Sequence, residues 1–213
     1  MIARGSIVGV IAALAVAGLA HAAPPVAKGP LKDWPCPEPR VDALTAEALY
    51  GQPLPAALPA PGTWQSDPDV RPVVEFAAAP ENNPGLGAER IQELAKSTGA
   101  RRREALLLAL SGIVERTNIL RRIIIDGIGD KVVKSRLLVE LIAENDRELA
   151  AVPNDGTGAA AERKNALETT RYWNNRSLGD TADDAELLCH RLAYTAKKAT
   201  ALAGAIRAEL DRP

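Results

Sequence analysis

Cys36, Cys189 and His190 have the widest chemical repertoire in this chain, and their spacing narrows what they can do. Cys189 and His190 are adjacent, whereas covalent haem attachment needs C-x-x-C-H. Cys36 lies 189 − 36 = 153 residues away, so there is no C-x-x-C redox pair. With two cysteines and two histidines in the whole sequence, a structural zinc site has little to draw on. A nucleophilic triad needs a base beside its nucleophile, and no G-x-S-x-G accompanies His190. Carboxylates are abundant. Glu140, Glu144 and Glu148 share one helical face and Asp183 adjoins Asp184, but such sets are usually solvated faces with i,i+4 ion pairs. The stretch Gly127-Ile128-Gly129-Asp130-Lys131 lacks the spacing of a phosphate loop. The residues therefore predict no cofactor, no metal site and no catalytic group.

Composition excludes further classes. The chain has 213 residues, 26 basic and 27 acidic, with only 3% aromatics. A near-neutral balance argues against nucleic acid, whose affinity rests on many Lys and Arg contacts to phosphate. So few aromatics do not make a base-stacking platform.

The N-terminus has the three parts of a secretory signal: Arg4, the apolar run Ile7 to Ala20, and Ala20-His21-Ala22 as a small-x-small cleavage pattern. Cleavage is expected after Ala22. It removes Arg4 and His21, leaving 25 basic and 27 acidic groups, a net charge of 25 − 27 = −2, and His190 as the one imidazole. The run is shorter than the roughly 20 residues of a permanent span, and no later segment is long and apolar enough to be one. The expected destination is a bacterial periplasm or exterior, where thiols oxidise. There Cys36 and Cys189 allow one internal bridge, the other outcomes being unpaired thiols or an intermolecular link.

The elements that must position these residues fall into two regions. Residues 23–86 form a Pro-rich arm with 14 of the chain's 16 prolines. Proline removes a donor and blocks helix interiors, so the arm is extended or turn-like, with short helices near Thr45–Tyr50 and Asp69–Ala77, capped by Thr45 and Asp67. Its apolar residues, Trp34 and Trp64 among them, need a surface to pack on. Residues 87–213 read as helical. A short piece covers Ala88–Ser97. A long run covers Ala100–Val152, with the stripe Leu106, Leu110, Ile113, Leu120, Ile124, Ile128, Val132, Val139, Ile142 and Leu149 at helical steps. Gly127 and Gly129 are its weakest point, and one bent helix is preferred there over two. Turns are expected at Pro153–Gly158 and Leu178–Thr181. They bound a helix over Ala159–Ser177 and a last one over Ala182–Arg212, capped by Asp180 or Thr181. The fold class is all-α: an elongated antiparallel bundle or hairpin of about three helices under a Pro-rich arm.

Asp33-Trp34-Pro35-Cys36, Leu44-Thr45-Ala46, Gly51-Gln52-Pro53-Leu54 and Trp64-Gln65-Ser66-Asp67 resemble a set of exported proteobacterial helical proteins. The resemblance implies a periplasmic helical protein in which Cys36 pairs with Cys189, and it implies no activity. Arg101-Arg102-Arg103 opens the long helix, where cations oppose the helix dipole. These three arginines, with Trp34 and Trp64, are the candidate partner contacts. The expected function is non-enzymatic: an exported adaptor or envelope scaffold that touches another envelope protein, with self-association left open. The alternative is a ligand- or metal-binding module with a pocket under the arm around Trp34, Trp64 and His190.

Overall fold

The computed structural model describes residues 29–153 and 158–212. The signal segment and most of the Pro153–Gly158 turn lie outside the described residues. Among these residues five α-helices follow one another: α1 (Ala46–Tyr50), α2 (Val70–Ala78), α3 (Pro84–Ser97), α4 (Arg102–Ala151) and α5 (Gly158–Leu210). Short 3-10 turns at Thr63–Ser66 and Gly99–Arg101 lead into α2 and α4. Among the described residues there is no strand, so the fold is all-α.

The local chemistry explains the short elements. Thr45 accepts from the Ala48 amide at 3.2 Å, capping α1, and Gly51 at φ 77° ends it in the left-handed region that glycine tolerates. Asp67 Oδ1 accepts from the Asp69 and Val70 amides at 3.0 and 3.1 Å, satisfying donors at the head of α2. Helix α3 starts earlier than Ala88. Asn83 caps it by accepting from Leu86 at 3.0 Å, and Pro84 sits in its first turn.

Helices α4 and α5 pair antiparallel. Arg102 reaches Glu209, Lys131 reaches Asp184 at 2.6 Å, and Arg171 reaches Asp146 at 2.8 Å. Helix α4 runs unbroken through Gly127 and Gly129 for 50 residues, about 75 Å. Tertiary packing sustains it there. Ile124, Ile125 and Ile128 are buried, and a methyl on Gly127 would already meet Leu188 at 3.5 Å. The turn expected at Leu178–Thr181 does not form; α5 is one helix of 53 residues, and Asp180 and Thr181 lie inside it. Leu178 and Thr181 are both buried on the α4 side, and Thr181 returns its hydroxyl proton to the Ser177 carbonyl at 2.7 Å. Burial along a long seam outweighs the weak local preferences of Gly179 and Asp180. The bundle is therefore a two-helix hairpin braced at one end, not three long helices.

The brace defines the core. Nine consecutive α4 residues, Ala105–Ile113, are buried because α1, α2, α3 and α5 surround that half of the helix. Trp64, Val70, Val74, Ile91, Leu202 and Ile206 complete this proximal cluster. A smaller cluster of Ile124, Ile125, Ile128, Cys189 and Leu192 lies midway along the hairpin. Beyond Leu138 of α4 and before Leu178 of α5, no described residue is buried. Two helices alone cannot enclose an apolar side chain from every direction.

Candidate functional site

The arm is held by contacts to its backbone rather than by pairing of its own. Extended, Pro-rich backbone leaves polar groups that must find partners, and side chains on α4 and α5 supply them. The Leu31 amide donates to Ser135 Oγ at 3.0 Å, and Arg136 pairs with Asp33. Arg121, fully buried, donates to the Val41 carbonyl at 2.6 Å and weakly to Leu192 of α5 at 3.4 Å, leaving its Nε without a partner. Burial holds its guanidinium below the ordinary value, an effect that Asp42 partly opposes. Asn118 exchanges two 2.9 Å hydrogen bonds with the Leu44 backbone. Glu115 accepts from the Gly62 amide at 2.8 Å and from the Trp64 indole at 3.0 Å. Chain residues 31 to 55 thus descend α4 from Ser135 to Arg103, a span of 135 − 103 = 32 residues or about 48 Å, before the arm turns back to Glu115 at Gly62 and Trp64.

Cys36 and Cys189 form the expected bridge, with Cα atoms 5.3 Å apart and 153 residues between them. It fixes the arm to the middle of α5, beside the partly buried Trp34.

The arginine triplet finds its partners within the chain, although Arg101 and Arg103 remain exposed. Arg101 pairs with Asp67, with Asp69 at 3.5 Å and with Glu104 at 3.5 Å. Arg102 donates to the Glu209 carbonyl and stands 3.7 Å from its buried carboxylate, while Arg103 donates to the Pro55 carbonyl at 2.9 Å. For Asp67, desolvation alone would raise the carboxyl, but the Arg101 hydrogen bond and the Val70 and Asp69 amides outweigh it, and the group sits below its ordinary value. The dipole penalty noted in the sequence is thus offset by acids of the arm and of α5. All three arginines act as clamps between arm, α4 and α5.

Among the described residues no pocket joins Trp34, Trp64 and His190; a pocket of about 350 Å³ does lie under the arm, where Leu31, Pro35, Pro37 and Glu38 face Cys189 and His190. Trp64 belongs to the proximal core, packed on Gly112 and Val74, and Trp34 to the cluster at the disulfide. A methyl on Gly112 would lie 2.8 Å from Trp64, so glycine alone allows that approach. His190 is exposed, 3.7 Å from Glu186. It does line a half-open cleft of about 750 Å³ between the α2–α3 turn (Ala78, Pro80, Glu81) and the hairpin, with Ile123, Tyr194 and Lys198. Lys198 is buried and donates to the Ala79 and Asn82 carbonyls at 2.5 and 2.7 Å. Desolvation lowers its proton affinity, with Glu81 partly opposing. Among the described residues, no group of three His, Cys, Asp or Glu is placed to hold a metal ion. No helix among them is long and apolar enough to cross a membrane.

Sequence reasoning missed the outward face of α4. Ile119, Ile123, Val133, Leu137 and Leu141 are all exposed, and Leu187, Tyr194, Tyr172 and Trp173 add to them on α5. The signal was present: steps of three and four that run beside the buried stripe rather than within it. No family model, curated protein or solved structure matches the chain.

Proposed function

We propose that this chain is an exported, non-enzymatic adaptor or envelope scaffold, delivered to the periplasm with cleavage near Ala22, that works by contact with another envelope protein. One observation carries the reading: the distal end of the hairpin, beyond Leu138 and before Leu178, holds no buried residue among those described, yet it presents Leu141, Tyr172 and Trp173 to solvent, with exposed Leu137 at its edge. Exposed apolar and aromatic side chains on a rigid helical support are the usual anchors of an interface. The braced proximal half serves as the mount. The Cys36–Cys189 bridge fits an oxidising compartment, and the resemblance at Asp33–Cys36 points the same way. Arg101, Arg102, Arg103 and Trp64, engaged within the chain, are supports of the mount rather than the contact itself.

The test is native mass spectrometry of the protein purified from its own periplasm, beside Leu137→Glu and Trp173→Glu. A stoichiometric second protein, lost in these variants while helicity is unchanged, is the expected result. A bare mature mass for every form, with cross-linking before lysis giving no added band, overturns the reading.

A second reading rests on the cleft at Lys198 and His190. Its volume is within the range of small-molecule sites, so a retained small mass that disappears in His190→Ala or Tyr194→Ala would shift the assignment to a ligand-binding module.

A further inference from the structure

The outward face of α4 has a regular order. At 100° per residue, Ile119, Ile123, Asp126, Asp130, Val133, Leu137, Leu141, Glu144 and Glu148 lie within about 40° of one line down the helix. Their steps are four, three, four, three, four, four, three and four, the 3-4 alternation of a coiled-coil seam. The line is opposite the side on which Ile128, Val132 and Ser135 are buried against the rest of the protein. The five apolar members are 40–68% exposed. A helix that already has one seam thus carries a second, which the described residues leave exposed.

The charges in this second seam select its occupant. Asp126 and Asp130 lie on one side of the Val133-Leu137-Leu141 triad, and Glu144 and Glu148 on the other. Among the described residues Asp126 and Asp130 make no ion pair, while Glu144 holds Arg147 at 2.6 Å and Glu148 is 3.8 Å from Arg163. Arg122 and Lys134 flank the line about 60° to either side, and the Lys134 charge helps Lys131 hold the Asp184 carboxyl below its ordinary value. A second copy does not suit this face. An antiparallel pairing centred on Leu137 sets Val133 against Leu141, as an apolar seam requires, but also sets Asp130 against Glu144 and Asp126 against Glu148. A parallel pairing in register sets each acid against itself. Like charges across a seam are destabilising and exclude partners.

We infer that the outward face of α4 is the docking seam for an amphipathic helix of another protein, with an apolar triad that meets Val133, Leu137 and Leu141 and with Lys or Arg at the seam positions that meet Asp126, Asp130, Glu144 and Glu148. This rests on the contact reading above and names the partner's chemistry.

The test uses the oxidised mature protein and two synthetic helical peptides of four heptads. Both carry Leu at the central seam positions; one carries Lys and the other Glu at the flanking ones. Titration calorimetry at low and at raised salt is expected to show binding of the Lys peptide at least tenfold tighter than of the Glu peptide, with the difference shrinking in salt. Leu137→Glu should lose that binding. Asp126→Lys with Asp130→Lys leaves two basic and two acidic flanking positions and should abolish the preference between the two peptides, and both variants alter exposed positions that leave the core intact. Equal binding of the two peptides, or none at millimolar concentration, overturns the seam chemistry. So does a homodimer in sedimentation velocity that Leu137→Glu dissolves. If the native partner is still lost in Leu137→Glu while neither peptide binds, the contact reading stands and this inference fails.

Discussion

Replacing Cys36 and Cys189 with serine tests how the arm is seated. The bridge closes a loop of 153 residues. In the chain-entropy model, a loop of that length constrains the unfolded chain by about 2.1 + 1.5R ln n cal/mol/K, or roughly 5 kcal/mol at 25 °C. Native strain and residual unfolded structure usually reduce the measured value, so a loss of about 2–5 kcal/mol is expected. Urea denaturation of wild type and the double variant at 25 °C gives that difference. The slope with urea should be steeper in the variant, since its unfolded chain exposes more surface. Hydrogen exchange adds a local readout. The Leu31 amide, bonded to Ser135, should lose protection in the variant, because the segment before Val41 is held mainly by the bridge, the Arg136–Asp33 pair and the packing of Trp34. The Trp64 indole, bonded to Glu115 in the proximal core, should keep its own. A stability loss below about 1 kcal/mol, or equal loss of protection at both sites, would refute the idea that the bridge seats this part of the arm.

The remaining predictions concern the mount. Trp64→Ala empties a fully enclosed site and should cost about 3–5 kcal/mol in urea denaturation. Gly112→Ala, although a better helix former, should destabilise by about 1–3 kcal/mol through overpacking against Trp64 and Val74. Asp67→Asn should destabilise at pH 7, and by progressively less as pH falls below the ordinary carboxylate range. The native carboxyl sits below its ordinary value, so its contribution is present above about pH 4 and is lost as pH falls through the native value. Equal stability of the two proteins at pH 7 would show that Arg101 and the α2 amides do not favour the charged form. Leu137→Glu should leave thermal stability within about 0.5 kcal/mol of wild type, as befits an exposed position; a larger loss would mean that the outward seam is already covered.

The architecture was readable where local chemistry and burial agree. Thr45, Gly51 and Asp67 mark the ends of α1 and α2 by hydrogen bonds available within a few residues. The internal stripe of α4 was visible because 3.6-residue periodicity survives two glycines. Leu178–Thr181 was misread because Gly179 and Asp180 signal a turn locally, while the burial of Leu178 and Thr181 against α4 is a tertiary fact. The arginine triplet looked free because its partners, Asp67, Pro55 and Glu209, are distant in sequence. Trp34 and Trp64 are 30 residues apart in sequence, and the arm carries them into two different clusters. The second seam of α4 was legible in its spacing, but only knowledge of which face meets α5 tells a core stripe from an outward one.

The central claim is that the outward face of α4 meets another protein. A photo-cross-linking amino acid at Leu137 in the periplasm of living cells tests it most directly, with Lys96, an exposed polar position on α3 in the braced proximal half, as the control. One discrete adduct from Leu137 and none from Lys96 is the expected result. No adduct from either, or the same adducts from both, would contradict it.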